Sequence, residues 1–361
     1  GGTMKPNQTF AGLFHASLAV LAGICVLMPL SASTETTWDN VDCEALAARL
    51  VQESARVTEG DQVLISGSVR DRELLENLST WVRMQGAFPL VELRTERMDL
   101  RRLTDVPADC ARQPHRLHMK LAELVDVHIQ IDHRESLEHG AAVELARQVA
   151  ARQADACCQR RAMEHRMRMV VVGNGLYPTA SRAKWLGLPH ATLSRVFWAG
   201  MNADPAQLQW TGNRLRRQLV SGQTMRVTAP NGTDLRMHIG RNPVVVNDGV
   251  LSMDDLMAGG SACSVRLPAG EVMLTPQPES VEGVLVVDRH QLMGRETRNL
   301  HLRYERGALV DLKADRGQDI VESLYRLSAG GKERLGYVAI GINPRIRDAV
   351  NATVLSRATQ G

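Results

Sequence analysis

The sequence predicts an α/β amino-terminal domain followed by a β-rich α+β carboxyl-terminal domain. Helix-like and strand-like segments alternate from residue 42 to about 215, which is typical of βαβ units and favours parallel strand pairing. Beyond residue 224, short runs of alternating apolar and polar residues are separated by turn signals, as antiparallel hairpins require. The 361 residues exceed one average domain. We therefore expect domains at 34–220 and 221–361.

The elements of the first half follow from the spacing of apolar residues. Residues 42–58 and 71–86 repeat apolar side chains at helical spacing, and each is followed by a short apolar run, at 62–66 and 88–93. These runs predict two strands of one parallel sheet. Further predicted elements of this half are a strand at 128–131, a helix at 137–152 and a strand at 169–172.

The second half reads mainly as short strands. Turn signals at 231–232, 248–249 and 306–307 mark hairpin connections, and a helix at 319–327 with a strand at 337–342 closes the domain. The other predicted strands are 225–228, 235–239, 265–267, 284–287, 300–304 and 308–312.

Residues 1–33 are predicted to be a tag remnant followed by a secretory signal peptide. Lys5 precedes an apolar run at 18–30, and the small residues at 31–33 fit a cleavage site. The run is shorter than the roughly 20 residues of a membrane span, and an uncleaved anchor is the alternative, which would be the protein's one contact with a membrane. We expect the mature protein to be periplasmic or secreted. Its cysteines could then pair, in an arrangement that the sequence leaves open.

Composition and missing motifs exclude several classes of function. Aromatic residues make up 4% of the chain and the net charge is +3, with acids and bases interspersed. We therefore expect no surface for stacking bases or tracking phosphates, and no nucleic-acid partner. The chain has no nucleophile elbow, P-loop, His-Glu-x-x-His or Cys-x-x-Cys motif. A homodimer is an open alternative to a monomer.

One acidic residue stands out by the way its neighbours restrain it. Glu271 lies between a Pro268-Ala269-Gly270 turn and a Thr-Pro pair, which is typical of a metal ligand or catalytic carboxylate. A solvated or salt-bridged turn glutamate is the alternative. The segment at 265–283 resembles the "LPxGEVFxxP…VEG" motif of the thermophilic metallo-aminopeptidases, the aminopeptidase S and T family. That resemblance implies that Glu271 is a metal ligand.

The resemblance extends over roughly residues 45–350, through segments at 176–179, 183–187, 231–235, 247–249 and 335–341. It implies a divalent metal, zinc or cobalt, that activates water to hydrolyse the N-terminal bond of a peptide. It also places Thr179 and Tyr337 near the substrate, a peptide or another small molecule, and Tyr337 beside Glu271 in a cleft between the domains. Capping of a helix is the alternative role for Thr179.

The chain departs from the family pattern in its metal ligands. Tyr337 stands where the family has a second glutamate, and the last histidine is His301, before the family's later histidine ligands. We expect an incomplete metal site unless other residues or a partner subunit replace the ligands. A metal-free binding protein is therefore the second hypothesis, and an iron enzyme similar to the dihydroxypyridine dioxygenases is the third.

Six histidines between residues 115 and 165 form a second candidate for a metal site. His115 and His118 have the spacing that places two imidazoles on one helix face. Nearby arginines disfavour a bound cation, so a polar helix face is the alternative. The other four are His128, His133, His139 and His165.

Overall fold

The computed structural model describes residues 41–107, 110, 116–136, 138, 140–240, 242–328 and 331–347. The predicted leader at 1–33 lies outside these residues. Among the helices that are described, none is long and apolar enough to cross a bilayer. Each described cysteine is a free thiol, namely Cys43, Cys110, Cys157, Cys158 and Cys263.

A five-stranded parallel sheet organises the first half of the chain. Its order is β2-β1-β3-β4-β8. The strands are β1 (Gln62–Gly67), β2 (Phe88–Leu93), β3 (Val127–Ile131), β4 (Arg168–Val172) and β8 (Ser264–Leu267). Ile65, Ile129 and Val170 of the three central strands are fully buried. Burial of each such side chain stabilises the fold by about 1.5–3 kcal/mol.

The helix between β1 and β2 buries one apolar face. In α2 (Arg72–Met84), Leu74, Leu78 and Val82 are fully buried at four-residue spacing, which places them on one side of the helix. The first helix, α1 (Cys43–Arg49), continues as a π-helical turn at Leu50–Ser54. The other helices are α3 (Glu96–Thr104), α4 (Arg116–Leu124), α5 (Leu145–Glu164), α6 (Ala180–Leu186), α7 (His190–Met201) and α8 (Pro205–Gly222).

The sequence places the helix before β4 too early. The predicted helix at 137–152 is instead α5, which begins at Leu145 and ends at Glu164. The Gln148 side chain donates to the carbonyls of Gly140 and Val143, at 2.8 and 3.1 Å. These bonds hold the preceding segment in a turn rather than in the helix.

The strand at 265–267 belongs to the parallel sheet, so its prediction as part of the antiparallel hairpins is wrong. β8 pairs in parallel with β4, with Val265 opposite Val170. Val265 and Leu267 are buried in the same core as the other parallel strands. A short apolar run has the same sequence signature in either type of sheet. The domain division near residue 220 stays a prediction, and β8 lies beyond it.

An antiparallel sheet with order β12-β11-β10-β6-β5 organises much of the second half. Its strands are β5 (Thr224–Thr228), β6 (Asp234–His238), β10 (Glu282–Leu292), β11 (Arg295–Glu305) and β12 (Ala308–Lys313). Ile320, Val321 and Leu324 of α10 (Gln318–Leu327) join its core. The predicted turns at 231–232 and 306–307 connect hairpins here. The turn at 248–249 instead leads toward α9 (Met253–Ala258).

The strands of a third, three-stranded antiparallel sheet alternate along the chain with strands of the two larger sheets. This third sheet consists of β7 (Val244–Asn247), β9 (Glu271–Leu274) and β13 (Val338–Gly341), with β9 in the centre. The sequence predicts only β13 of these. Short 3₁₀ turns at Val69–Asp71 and Gly260–Cys263 and the helix α11 (Pro344–Arg347) complete the described elements. The chain thus has the mixed α/β content that was predicted.

Truncation of Val265 tests its place in the parallel-sheet core. The side chain is 3% exposed, so Val265→Ala should lower the free energy of unfolding by about 2 kcal/mol through lost burial and a cavity. Val310→Ala is the matched control, because Val310 is 46% exposed and should cost below about 0.5 kcal/mol. Urea unfolding measures both, and equal costs would contradict the buried position of β8.

Candidate functional site

Four loops meet at one edge of the parallel sheet because parallel strands end on the same side. They follow β1, β3, β4 and β8, and the last of them carries Glu271 at the start of β9. In open α/β sheets this edge is where ligands bind, at the point where the strand order reverses. The candidate site therefore lies along this edge.

The loop before Glu271 is fixed by Asn343, which is 1% exposed. The Asn343 side-chain amide donates to the carbonyls of Ala269 and Gly200, at 2.6 and 3.1 Å. Its backbone lies against Gly270, which has a φ of +112° and no room for a Cβ, since that atom would lie 2.6 Å from the Asn343 Cβ. Glycine is therefore required at 270, and the carboxylate that follows it is held in place.

Two side chains already contact the Glu271 carboxylate, which is 16% exposed. The Asn174 amide donates to Glu271 Oε1 at 3.0 Å and to the carbonyl of Pro268 at 3.2 Å. Arg266 Nη1 lies 4.0 Å from Glu271 Oε2. The Oε2 atom itself is buried and has no hydrogen-bond donor among the described residues. One anionic oxygen is thus left as an acceptor.

Tyr337 does not lie beside Glu271, and that prediction is wrong. The register of β9 and β13 places Gly341 opposite Glu271, and Val338 opposite Leu274 at the other end of the pair. Tyr337 precedes Val338, so it lies four residues along the strand from Gly341, about 13 Å away. The resemblance brings the two motifs together in space, but it does not set the register of their strands. A glutamate placed at 337 would not complete a site at Glu271.

The residues around Glu271 do not fit a divalent metal centre. Such a centre needs several carboxylate or imidazole ligands. The side chains next to the carboxylate are an amide that donates to it and a guanidinium. No group of three or more His, Cys, Asp or Glu in the described part of the chain could hold a metal ion. The described residues around Glu271 therefore supply too few ligands for a divalent metal.

The histidines of the second candidate have separate partners. His118 pairs with Glu92 at 3.7 Å, and His133 pairs with Asp99 at 2.7 Å. His128 shares a hydrogen bond of 2.8 Å with Ser66, and burial lowers its pKa to about 4. His165 ends α5. His115 and His139 lie outside the described residues, so the proposed pair at 115 and 118 stays a prediction.

Thr179 caps α6, as its alternative role predicts. Its side chain accepts a hydrogen bond from the backbone N–H of Arg182 at 3.2 Å. A role in substrate binding stays a prediction. The neighbouring Tyr177 is fully buried, and its hydroxyl donates to Asp71 at 2.5 Å. This bond ties the loop after β4 to the loop after β1.

The sequence does not reveal a buried charge network on the same edge. Asp132, directly after β3, is 5% exposed and contacts Arg134 at 3.0 Å and Arg182 at 3.6 Å. The Arg70 guanidinium donates to the carbonyl of Asp132 and lies 4.4 Å from the centre of the Tyr177 ring. The signal that could have found it is the charged residues directly after strands β1 and β3.

The charge of Asp132 is maintained by its arginine partners. Burial alone would raise the pKa of Asp132, but Arg134 and Arg182 outweigh that effect and hold the pKa below its usual range. The same pairing raises the pKa of Arg134. Asp132 is therefore a carboxylate at neutral pH, and the network is ionic.

Comparison with known proteins decides the family. The family model described as Thermophilic metalloprotease (M29) matches residues 40–355. The chain belongs to this family. Membership supports a metallo-aminopeptidase-like function and implies a divalent metal for the family as a whole.

Relatives of known name agree with the M29 assignment. Aminopeptidase T of Thermus thermophilus is 27% identical over 178 residues, which is 45% of this chain and 42% of that protein. Aminopeptidase AmpS of Bacillus subtilis is 31% identical over 110 residues, 30% of this chain and 25% of that protein. The matched segments thus span less than half the length of these curated relatives.

Solved structures show the fold. Wild-type AmpT from Thermus thermophilus has a TM-score of 0.66 at 18% identity, covering 88% of this chain and 83% of that chain. The 2,5-dihydroxypyridine dioxygenase from Pseudomonas putida KT2440 reaches a TM-score of 0.47 at 14% identity, over 88% of this chain and 78% of that one. The second likeness is too slight to bear on function.

Substitution of Gly270 should be costly because two effects coincide. Gly270→Ala adds a strained φ and a collision with Asn343. We therefore expect the free energy of unfolding to fall by about 3 kcal/mol or more. Gly60→Ala is the matched control, since Gly60 has a φ of +87° but nothing within 4 Å of an added Cβ. It should cost about 1–2 kcal/mol from strain alone. Equal costs in urea unfolding would contradict close packing at Asn343.

The ionic network predicts a specific pH dependence of stability. Folding lowers the pKa of Asp132. The charged Asp132 therefore stabilises the folded protein at a pH above the pKa of the unfolded chain. This stabilisation is lost as the pH falls through the pKa of the folded protein. Asp132→Asn should cost roughly 3 kcal/mol at pH 7, and the difference from the wild type should shrink below about pH 4. Urea unfolding of the variant and the wild type at pH 7 and at pH 3 measures this difference.

Asp311→Asn is the control for this experiment. Asp311 pairs with Lys313 and is 38% exposed. We therefore expect the free energy of unfolding of this variant to differ little from that of the wild type at either pH. A cost for Asp132→Asn that is the same at pH 3 and pH 7 would refute the ionic account.

Proposed function

We propose that this chain recognises the free amino end of a peptide at Glu271, within the metallo-aminopeptidase-like scaffold of its family. The observation that carries the proposal is the buried Glu271 Oε2, an anionic oxygen without a hydrogen-bond donor among the described residues. An unpaired buried acceptor is costly unless a ligand pairs with it. Glu271 is in turn held rigidly by the loop that Asn343 clamps.

A peptide ammonium suits this position better than a divalent metal does. An ammonium carries positive charge and three N–H donors, and it needs one carboxylate rather than a set of anionic ligands. The Asn174 amide occupies the other oxygen of Glu271 as a donor, and Arg266 supplies a nearby positive charge. The amide blocks one oxygen as a ligand, and the Arg266 charge repels a divalent ion about twice as strongly as a singly charged ammonium at the same distance. The names of the relatives, aminopeptidases, support a ligand with a free amino end.

Metal-dependent hydrolysis of an N-terminal peptide bond is the second candidate function. The match of the M29 model to residues 40–355 favours it. It requires further metal ligands in addition to Glu271, from outside the described residues or from a partner subunit. The two candidates differ in whether the ligand is only bound or also cleaved.

Calorimetric titration with tri-alanine tests the proposal. Wild-type protein should bind tri-alanine, and N-acetylation should weaken binding about tenfold or more, because it removes the charge that pairs with Glu271. Glu271→Gln should weaken binding of the free peptide by a similar factor. Glu279→Gln is the matched control, since Glu279 is 85% exposed, and its affinity should equal that of the wild type.

Equal affinity for the free and the acetylated peptide would refute recognition of the amino end. An aminoacyl reporter, assayed with zinc or cobalt added, separates the two candidates. Hydrolysis that Glu271→Gln abolishes would establish the second candidate in place of simple binding.

A further inference from the structure

A cluster of three arginines lies at the point where the strand order of the parallel sheet reverses. The chain passes from β1 to β2 on one side and then crosses to β3 on the other. Arg70 follows β1 in the 3₁₀ turn, Arg134 follows β3, and Arg182 lies in α6 after β4. This crevice is the general ligand position of doubly wound sheets. Arg70, Arg134 and Arg182 are called the arginine cluster below.

All three guanidinium groups converge on one residue, Asp132. Arg134 contacts its carboxylate at 3.0 Å, Arg182 lies 3.6 Å from the other oxygen, and Arg70 donates to its carbonyl. Asp71 is the second carboxylate in reach, with its Oδ1 3.5 Å from Arg70. Asp71 also accepts from Tyr177 and from the Ser68 amide. Three cations therefore share two carboxylates.

The neighbouring acids are engaged elsewhere. Glu96 accepts from the backbone amides of Glu135 and Ser136, at 3.0–3.1 Å. Asp99 pairs with His133 at 2.7 Å and with Arg94 at 3.6 Å. Both carboxylates favour the charged form of Arg134 and raise its pKa, after the larger effect of Asp132.

One donor of the arginine cluster lacks an acceptor among the described residues. The Nε atom of Arg182 is buried and makes no hydrogen bond to a described residue, whereas the buried Nε of Arg70 has only the long contact of 3.5 Å with Asp71 Oδ1. The Arg182 residue is 8% exposed, so water does not readily replace the missing acceptor. A buried donor left unpaired costs about 1–3 kcal/mol. The Arg134 side chain, 63% exposed, connects the cluster to solvent.

We infer that the arginine cluster binds an oxyanion of a ligand, a carboxylate or a phosphate. Planar guanidinium groups match such oxygens in charge and in geometry. If Glu271 binds an amino end as proposed above, the ligand has both charges. The loops after β3 and β8 are two strand spacings apart, about 10 Å, and an extended tripeptide has about that length. The ligand class is then a short peptide with free amino and carboxyl ends.

Titration calorimetry at constant ionic strength tests this inference. Wild-type protein is compared for tri-alanine and tri-alanine amide, and we expect amidation to weaken binding about tenfold or more. In Arg134→Gln the preference for the free carboxyl end should be clearly reduced, because one of the three positive charges of the cluster is gone. Arg226→Gln is the matched control, since Arg226 pairs with Asp234 at the surface of the second half and should behave as the wild type.

The outcomes separate this inference from the proposed function. Loss of affinity on amidation but not on acetylation supports the arginine cluster and refutes recognition by Glu271. Loss of affinity on acetylation but not on amidation supports recognition by Glu271 and refutes binding of the carboxyl end by the arginine cluster. If no peptide binds, inorganic phosphate is the second probe. Saturable phosphate binding that Arg134→Gln removes supports the oxyanion site, and its absence overturns the inference.

Discussion

The buried side chain of Asn343 is the interaction on which the candidate site depends. Its amide nitrogen joins the loop before β9 to the end of α7, and its oxygen accepts from the backbone of Arg345 at 2.9 Å. The same residue fills the space where a side chain at position 270 would lie. One residue thus joins three separate parts of the chain. The position of Glu271 follows from this packing and not from a local turn alone.

The fixed position gives Glu271 a defined electrostatic setting. Its carboxylate has an amide donor on one oxygen and a guanidinium near the other. This arrangement balances one negative charge with groups that a metal ion would have to displace. Under the proposed function, these surroundings receive a singly charged ligand group.

The two charged regions of the edge follow from the same topology. Parallel strands end together, so the loops after β1, β3, β4 and β8 lie side by side although they are far apart in sequence. Asn174 and Gly175, in the loop after β4, contact Glu271 and Arg182 respectively. This loop therefore separates an anionic position from a cationic one.

Sequence patterns predict the elements whose apolar spacing is set locally. The strands β1, β3 and β4 and the helix α2 are of this kind, because their buried faces repeat within a few residues. The strand β9 is hidden, since the Pro and Gly before it and the Thr-Pro after it read as a turn. The parallel pairing of β8 with β4 likewise cannot be predicted from the four residues of β8.

The site was predictable only in part for the same reason. The restraint on Glu271 is visible in its neighbours along the chain. The pairing of Gly341, rather than Tyr337, with Glu271 depends on register, which two separate motifs do not define. The contacts of Asp132 with Arg70 and Arg182 join residues about 50–60 positions apart, so they require the assembled sheet.

Anomalous diffraction at the zinc absorption edge tests the central claim most directly, with crystals of this chain grown in the presence of zinc. We expect the Asn174 amide to stay bonded to Glu271 and no zinc peak to lie within bonding distance, about 2.1 Å, of the carboxylate. A zinc peak bonded to Glu271 and to two or more further protein ligands would contradict it.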